Sequence, residues 1–256
     1  MHKSLMKNIF FLTCLTLILL TSCKSKNLYK IEGRQLPITD SLETTQSIED
    51  YIKPYRIQIN KSLDSVISYS KDTYSKRDGH LNTAIGNMMA DAVYEESNPL
   101  FKSRTGNEID FVLLNHGGIR SIISKGNIST RTAYSVMPFE NSVVVVKMNG
   151  NKVKELVDYL VREQRAHPVH GLQIILDEEL QLKSATIKGE SIDTSKTYYV
   201  ATNDYLYNGG DRMTFFKPNE NLHVLDYKIR NVLIDYFTKK DTIAPIIDDR
   251  FIQLKQ

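Results

Sequence analysis

Four consecutive valines at positions 143–146 are the feature that most limits how this chain can fold. Adjacent β-branched residues favour an extended strand that is apolar on both faces, and such a strand lies inside a sheet. The strand predicted over residues 141–148 ends at Asn149-Gly150, and a helical apolar pattern follows over residues 151–164. The sequence therefore predicts a central strand that turns directly into a helix.

Shorter patterns of both kinds surround this unit. Residues 82–96 have helical spacing with Asn82 as the cap, and residues 52–69 are also predicted as a helix, although Pro54 weakens its start. Because helices and strands alternate irregularly, with short turns between several strands, we predict an α+β fold with mixed β-sheets and packed helices in a single domain. The other predicted elements are strands at 109–114, 173–176, 182–187, 198–202 and 223–227, a short helix within 128–136 that Thr130 caps, and a closing helix from 226 or 227 to 237.

The N-terminus has the composition of an export signal. Lys3 and Lys7 precede an apolar run at 9–20 that is too short for a comfortable membrane span. The run ends in Leu20-Thr21-Ser22-Cys23, which resembles a bacterial lipobox, in which cleavage precedes a cysteine that becomes acylated. An ordinary signal peptide followed by a chance cysteine is the alternative. We predict a signal peptide over 1–22, a tether over 23–40 that is lipidated at Cys23, and a folded domain over 41–256.

Charge and cysteine content restrict the partners and the means of stabilisation. Removal of residues 1–22 deletes two lysines and no acids, so the formal charge falls from +3 to +1, which gives no argument for a nucleic acid partner. Of the two cysteines, Cys14 lies in the removed segment, so we expect no disulfide framework. Lys24 after the predicted lipidated cysteine resembles envelope lipoproteins released to the outer membrane, which is the location that we expect.

Three loop segments carry side chains suited to a nucleotide. They are Asn115-His116-Gly117-Gly118-Ile119-Arg120, Pro138-Phe139-Glu140-Asn141 and Tyr205-Leu206-Tyr207-Asn208-Gly209-Gly210-Asp211. An aromatic face under a base contributes about 1–3 kcal/mol, a carboxylate accepts from vicinal hydroxyls, and a guanidinium matches phosphate oxygens. Taken singly, the segments also fit a tight turn, a strand entry with a core phenylalanine, and a surface arginine. Together they predict a pocket for base, ribose and phosphate.

These segments occur in the order found in a known family. Gly86-Asn87-Met88-Met89-Ala90-Asp91-Ala92 precedes them, and His170-Gly171-Leu172 lies between the second and the third. In this order and spacing the chain resembles the C-terminal domain of the 5′-nucleotidases, a family that includes UDP-sugar hydrolases. The resemblance covers residues 62–237 and implies the same fold.

The resemblance also implies a role for individual residues. In the family this domain binds the nucleoside part of the substrate, with the base between two aromatic rings. By position these rings are Phe139 and Tyr205, and the family usually has phenylalanine at the second position. Asp211 is then placed on the ribose hydroxyls, Asn115 and Asn141 beside the base, Arg120 toward phosphate or ribose, and Gly171 among the substrate-binding residues.

One position departs from the family pattern. An arginine is often found seven residues before the glycine that matches Gly86, and this chain has Gly79 there. Lys76 and Arg77 are the nearest cations, and Arg77 is a weak substitute.

The resemblance does not extend to the catalytic half of the family. Family enzymes hydrolyse phosphate in a separate N-terminal metallophosphatase domain that carries a dinuclear metal site. We therefore expect no catalytic residue, metal site or cofactor in this chain, with divalent metals only in a partner. His116, His167 and His170 are interpreted as loop histidines, since Pro168 prevents a helical ligand pair.

Two kinds of function remain open at this stage. The first is the nucleotide-binding half of a split 5′-nucleotidase, which supports nucleotide hydrolysis together with a separately encoded metallophosphatase chain. The second is a non-catalytic lipoprotein that binds nucleotides or nucleosides, or a structural lipoprotein that has lost the ligand. In both, the membrane is reached through the lipid anchor.

Overall fold

The computed structural model describes residues 6–7, 9–13, 30–39, 41–217 and 222–254 of the 256-residue chain. Two compact units are distinguished, Met1–Tyr51 and Ile52–Gln256, and the second contains the β-sheets. In the first unit, residues 30–39 are exposed and have neither helix nor strand. Cys23 and the predicted cleavage site lie outside the described residues. No helix in the described ranges is both long enough and apolar enough to cross a bilayer.

The fold is confirmed as α+β with mixed sheets and packed helices. Helix α2 (Ala84–Thr105) begins after its N-cap Thr83, whose side chain accepts from the Gly86 N–H, and its C-cap is Gly106, which has φ 75°. Helix α4 begins after its N-cap Asn149, whose side chain accepts from the Lys152 N–H, as the predicted turn into a helix requires. From Gln46 onward, the α-helices are α1 (Gln46–Leu63), α2 (Ala84–Thr105), α3 (Thr130–Val136), α4 (Gly150–Glu163), α5 (Asp204–Tyr207) and α6 (Ile229–Thr238).

The strands form three sheets, in the orders β11-β1-β3, β10-β4-β9-β2-β5 and β12-β6-β7-β8. In the central five-stranded sheet, β9 is parallel to β2 and antiparallel to β4. The strands are β1 (Val66–Ser70), β2 (Phe111–Leu113), β3 (Gly126–Ser129), β4 (Ser142–Asn149), β5 (Val169–His170), β6 (Leu172–Leu176), β7 (Leu182–Ile187), β8 (Glu190–Ser191), β9 (Thr197–Asn203), β10 (Leu222–Lys228), β11 (Thr242–Ile243) and β12 (Phe251–Gln253).

Strand β4 separates two hydrophobic cores, as the valine run predicts. Val143 and Val145 face a core that contains α2 and α6, while Val144 and Val146 face a core that contains α4 and β6. All four valines are at most 1% exposed. Burial of this strand on both faces explains why apolar residues occupy consecutive positions and not alternate ones.

Three local predictions were wrong. The helix predicted over residues 52–69 ends at Leu63. Val66 and Ile67 lie in β1, where Val66 pairs with Ser129 of β3. Asn82 does not cap α2, since its side-chain amide donates to the carbonyls of Asp248 and Phe251. In both cases a contact distant in sequence determines the local structure. The third is the cap of the short helix: Ser129 and not Thr130 is the N-cap, and Thr130 is the first residue of α3.

The C-terminal segment is attached to the rest of the fold through Arg250. Its guanidinium donates to Asp91 Oδ1 at 2.9 Å, Asp248 Oδ2 at 2.7 Å and the Val169 carbonyl at 2.6 Å. The side chain of Arg250 is 16% exposed, and those of both aspartates are 29% exposed. Burial alone raises the pKa of Asp91, but hydrogen bonds from His170 and Arg250 hold it below its usual value.

We expect Arg250→Met to lower the free energy of unfolding by about 3 kcal/mol, because it leaves two partly buried carboxylates without their cation. Arg131→Met is the matched control, since Arg131 also holds a carboxylate with two nitrogens, but its partner Asp64 is on the surface. Removal of that exposed pair should change the free energy of unfolding much less, because solvent screens it. Urea unfolding of the two variants measures the difference, and equal losses would contradict a structural role for the Arg250 network.

Candidate nucleotide-binding site

Three loops meet at one edge of the central sheet. Because β2 and β9 are parallel, the Asn115 loop after β2 and helix α5 after β9 emerge at the same edge. Strand β4 is antiparallel to β9, with Val143 opposite Asn203, so the Phe139 loop before β4 arrives there too. The loops enclose a cavity of about 380 Å³ lined by Asn115, Gly117, Gly118, Arg120, Phe139, Asn141, Tyr205 and Asp211.

Six of the seven predicted substrate-binding residues line this cavity: Asn115, Arg120, Phe139, Asn141, Tyr205 and Asp211. Gly171 lies elsewhere, in the wall of a second cavity of about 530 Å³ beside His170 and Arg250. Its φ of +73° and its contact with the Asp110 carbonyl, 2.7 Å from where a Cβ would sit, require glycine there. Gly171 therefore shapes the β5–β6 turn in this structure.

The two aromatic side chains at the cavity are not packed into the cores. Phe139 is 39% exposed and Tyr205 is 44% exposed, whereas phenylalanines such as Phe101 and Phe237 are fully buried. The Arg120 guanidinium carbon lies 5.7 Å from the centre of the Phe139 ring, within the range of a cation–π contact. Both rings are thus available to a flat ligand.

Tyr205 and Asp211 contact each other across the glycine turn that lies between them. A Cβ on Gly210 would lie 2.4 Å from the Tyr205 ring, so only glycine lets the ring approach the backbone this closely. The Tyr205 hydroxyl, which the family's usual phenylalanine lacks, donates to Asp211 Oδ1 at 3.1 Å. This bond provides the partner that the extra hydroxyl requires, and it orients the carboxylate.

Asp211 is held in an unfavourable backbone conformation. Its φ is 50° and that of the following Arg212 is 62°, both in the left-handed region that side chains larger than glycine rarely adopt. The Tyr159 hydroxyl donates to the Asp211 carbonyl at 2.8 Å and fixes this turn from behind. Such strain persists only where neighbouring structure determines it, and it is common at ligand sites.

A buried asparagine joins two of the loops. Asn203, at the end of β9, caps α5 by accepting from the Leu206 N–H at 2.8 Å, and its Nδ2 donates to Asn115 Oδ1 at 3.4 Å. The glycines at 117 and 118 lie against the Asn115 amide, with a hypothetical Cβ on Gly118 only 3.1 Å from Oδ1. Asn203 and Tyr159 were absent from the residues predicted by sequence. An Asn placed between a strand and a short helix was the one local signal for Asn203.

His167 supports the Asn115 loop from the protein interior. The His116 N–H donates to His167 Nδ1 at 3.3 Å, so the neutral His167 ring carries its proton on Nε2. That Nε2 is buried and has no hydrogen-bond partner among the described residues. Burial is the main reason that the pKa of His167 falls to about 4. His167 is therefore neutral in the native protein at physiological pH.

Lys76 is influenced by several cations, and one of them is Arg120 of the cavity wall. The pKa of Lys76 is lowered first by burial and then by the charges of Arg120, Arg77 and Arg165. Lys76 therefore lies within electrostatic range of Arg120, although the family's additional arginine is replaced by Gly79. Within the ranges that the structure describes, no three His, Cys, Asp or Glu side chains are grouped so that they could hold a metal ion.

Comparison with known proteins decides the family. Residues 61–218 match the family model for the 5′-nucleotidase, C-terminal domain. The chain belongs to this family. The match confirms the resemblance drawn from the motifs.

Several relatives are longer than this chain. An apyrase of Tabanus yao is 25% identical over 237 residues, which are 83% of this chain and 42% of the apyrase. The cell wall protein Lmo0130 of Listeria monocytogenes is 27% identical over 216 residues, 77% of this chain and 27% of that protein. The crystal structure of a 5′-nucleotidase precursor from Thermus thermophilus has a TM-score of 0.67 at 22% identity, over 82% of this chain and 44% of that one. This chain thus spans less than half the length of each of these three proteins.

The buried histidine makes stability depend on pH. Between the native pKa of about 4 and the ordinary value of 6.5, the unfolded chain binds a proton at residue 167 and the native protein does not. Stability contributed by the neutral ring is therefore lost as the pH falls. We expect the free energy of unfolding to drop by about 2 kcal/mol between buffers near pH 7 and pH 5 through this group alone.

His167→Asn should remove this loss, because the asparagine oxygen can still accept from the His116 N–H but does not titrate. The control is His80→Asn at an exposed histidine, which should leave the pH profile unchanged. Urea unfolding at the two pH values measures the effect. The interpretation is wrong if the two variants lose the same stability on acidification.

Proposed function

We propose that this 5′-nucleotidase-family chain binds a nucleotide through its nucleoside part and is the substrate-binding half of a split 5′-nucleotidase. The observation that carries the proposal is the cavity at the sheet edge, where three distant loops present Phe139, Tyr205, Arg120 and Asp211 together. Two exposed rings, one guanidinium and one carboxylate match the base, phosphate and ribose of a single ligand.

Each group has a defined role in the proposal. The rings of Phe139 and Tyr205 stack on the base, and stacking is permissive because every base has a π-face. Tyr205 occupies one side of Asp211 Oδ1, which leaves Oδ2 to accept from a ribose hydroxyl. Arg120 and the cations near Lys76 attract the phosphate. The hydrolytic step belongs to a metallophosphatase chain, whose two metal ions would activate the attacking water.

The cell envelope is the proposed location. One relative is named as a cell wall protein, which agrees with an exported family member. We propose that Cys23 is acylated and that the anchor is in the outer membrane. Confinement of both halves to one membrane raises their effective concentration, so weak association is sufficient.

A non-catalytic nucleotide-binding lipoprotein is the second candidate. It is supported by the cavity itself, which brings two exposed aromatic rings together with a guanidinium and a carboxylate. In this candidate, binding needs no second chain. Both candidates require binding, and they differ in whether a metallophosphatase acts on the bound ligand. A structural lipoprotein without ligand would bind no nucleotide.

We expect the mature chain alone to bind adenosine and AMP in titration calorimetry. Phe139→Ala and Tyr205→Ala should each raise Kd by about 5-fold to 100-fold, because each removes one stacking face. Tyr69→Ala is the control, since Tyr69 is similarly exposed at 42% but lies on β1 outside the cavity wall. Absence of adenosine and AMP binding to the wild-type chain would exclude both binding candidates.

Catalysis is tested by phosphate release from AMP. The isolated, metal-stripped chain should release none, and addition of an exported metallophosphatase with divalent metal should produce activity. Asp211→Asn should lower kcat/KM of the pair by about 10-fold or more, because a neutral amide accepts more weakly from the ribose. Hydrolysis by the isolated chain would refute the split-enzyme proposal, and lack of activity with every metallophosphatase would favour the binding lipoprotein.

A further inference from the structure

We propose that Glu140, Lys228 and Arg230 form an ionic clamp that positions the Phe139 ring for stacking. The proposal rests on nucleoside binding at the cavity described above, and it assigns a role to residues outside the cavity wall. It concerns positioning residues, because Glu140, Lys228 and Arg230 are not among the residues that the structure places around the cavity.

Arg230 holds the Phe139 loop on both sides of the ring. Its Nη2 is paired with the Glu140 carboxylate, and its Nη1 donates to the Pro138 carbonyl at 3.5 Å, at the long end of the hydrogen-bond range. The guanidinium carbon lies 4.2 Å from the centre of the Tyr134 ring. The Arg230 side chain is only 8% exposed, so these contacts restrict it strongly. One guanidinium therefore fixes the residues before and after Phe139.

Residues next to Arg230 strengthen the attachment. The Lys228 ammonium is also paired with the Glu140 carboxylate, and the Ile229 N–H donates to the Asn141 carbonyl at 3.0 Å. Three successive residues at the start of α6 thus hold the loop. Helix α6 is a firm support, because Ile229, Val232, Leu233 and Phe237 are fully buried in the core.

The Phe139 ring needs such support because its own packing is incomplete. At 39% exposure it lacks the dense contacts that fix a core phenylalanine, so its position depends on the backbone that carries it. A ring that is already oriented loses less conformational freedom when a base stacks on it. The clamp therefore contributes to base affinity without touching the base.

Glu140→Gln tests the clamp with little risk to folding, because the Glu140 side chain is 62% exposed. It should raise the Kd for adenosine by about 5-fold through loss of preorganisation. Glu108→Gln is the matched control: Glu108 is 48% exposed, follows the C-terminal end of α2 and is paired with Lys102 in the last turn of that helix. Arg230→Lys should retain part of the affinity, since the pairing cation remains.

A double-mutant cycle separates positioning from general destabilisation. If Glu140 acts through the ring, the change from Glu140 to Gln should have almost no effect on adenosine affinity in a Phe139→Ala background. Equal effects in both backgrounds would overturn the proposal. Adenosine is uncharged, so salt does not screen the ligand itself. High salt should still lower the adenosine affinity of the wild-type chain by about 3-fold, because it screens the exposed Glu140 pairs. The adenosine affinity of the Glu140→Gln variant should not change with salt.

A spectroscopic measurement tests the clamp without any ligand. The chain contains no tryptophan, so Phe139→Trp introduces a single tryptophan at the loop, which is excited selectively at wavelengths where the 14 tyrosines do not absorb. Its fluorescence anisotropy should fall when Glu140→Gln is added and stay unchanged when Glu108→Gln is added. If adenosine binds to no variant but this anisotropy difference is found, the proposed function fails and the clamp stands. Equal anisotropy in all three proteins would overturn the clamp.

Discussion

The burial of β4 on both faces is the constraint on which the rest of the structure depends. Its valines contribute to two separate cores, and its pairing with β9 places Val145 opposite Ala201 and Val143 opposite Asn203. A slip of one residue would exchange the faces and move every neighbouring loop. Since both faces are apolar here, the opposing helices and the flanking strands together define the register. That register brings the loop before β4 beside the short helix after β9.

The polar residues have two different roles: some pair with one another and stabilise the fold, and others face the cavity. In the Arg250 network, the guanidinium is paired with the carboxylates of Asp91 and Asp248. These pairs join the C-terminal segment to α2, and few of their hydrogen-bonding groups remain for a ligand. At the cavity, by contrast, two aromatic rings remain exposed and Asp211 is held at a φ of 50° by the Tyr159 hydroxyl. Strained backbone and unpacked rings cost stability, and the surrounding network offsets that cost. A binding surface built in this way is the kind of site that the proposed function requires.

Sequence reasoning recovered the elements in which local pattern and tertiary packing agree. The central strand, the helix that follows Asn149 and the α+β class all belong to this group, because strong periodicity and turn chemistry act in the same direction as burial. It failed at residues 64–69, where an apolar pattern compatible with a helix is used in β1. It also misassigned Asn82, whose amide serves the distant residues Asp248 and Phe251 and leaves the cap to Thr83.

The sequence by itself determined the family and the chemistry of the candidate site, because motif order and side-chain type are properties of the linear chain. Only the tertiary structure decided which of those residues share a cavity, and it separated Gly171 from the other six. It also revealed Tyr159, Asn203 and His167 behind the loops and Arg230 beside Phe139. The physical reason is that these contacts join residues far apart in the chain, and strand register and core packing determine their distances.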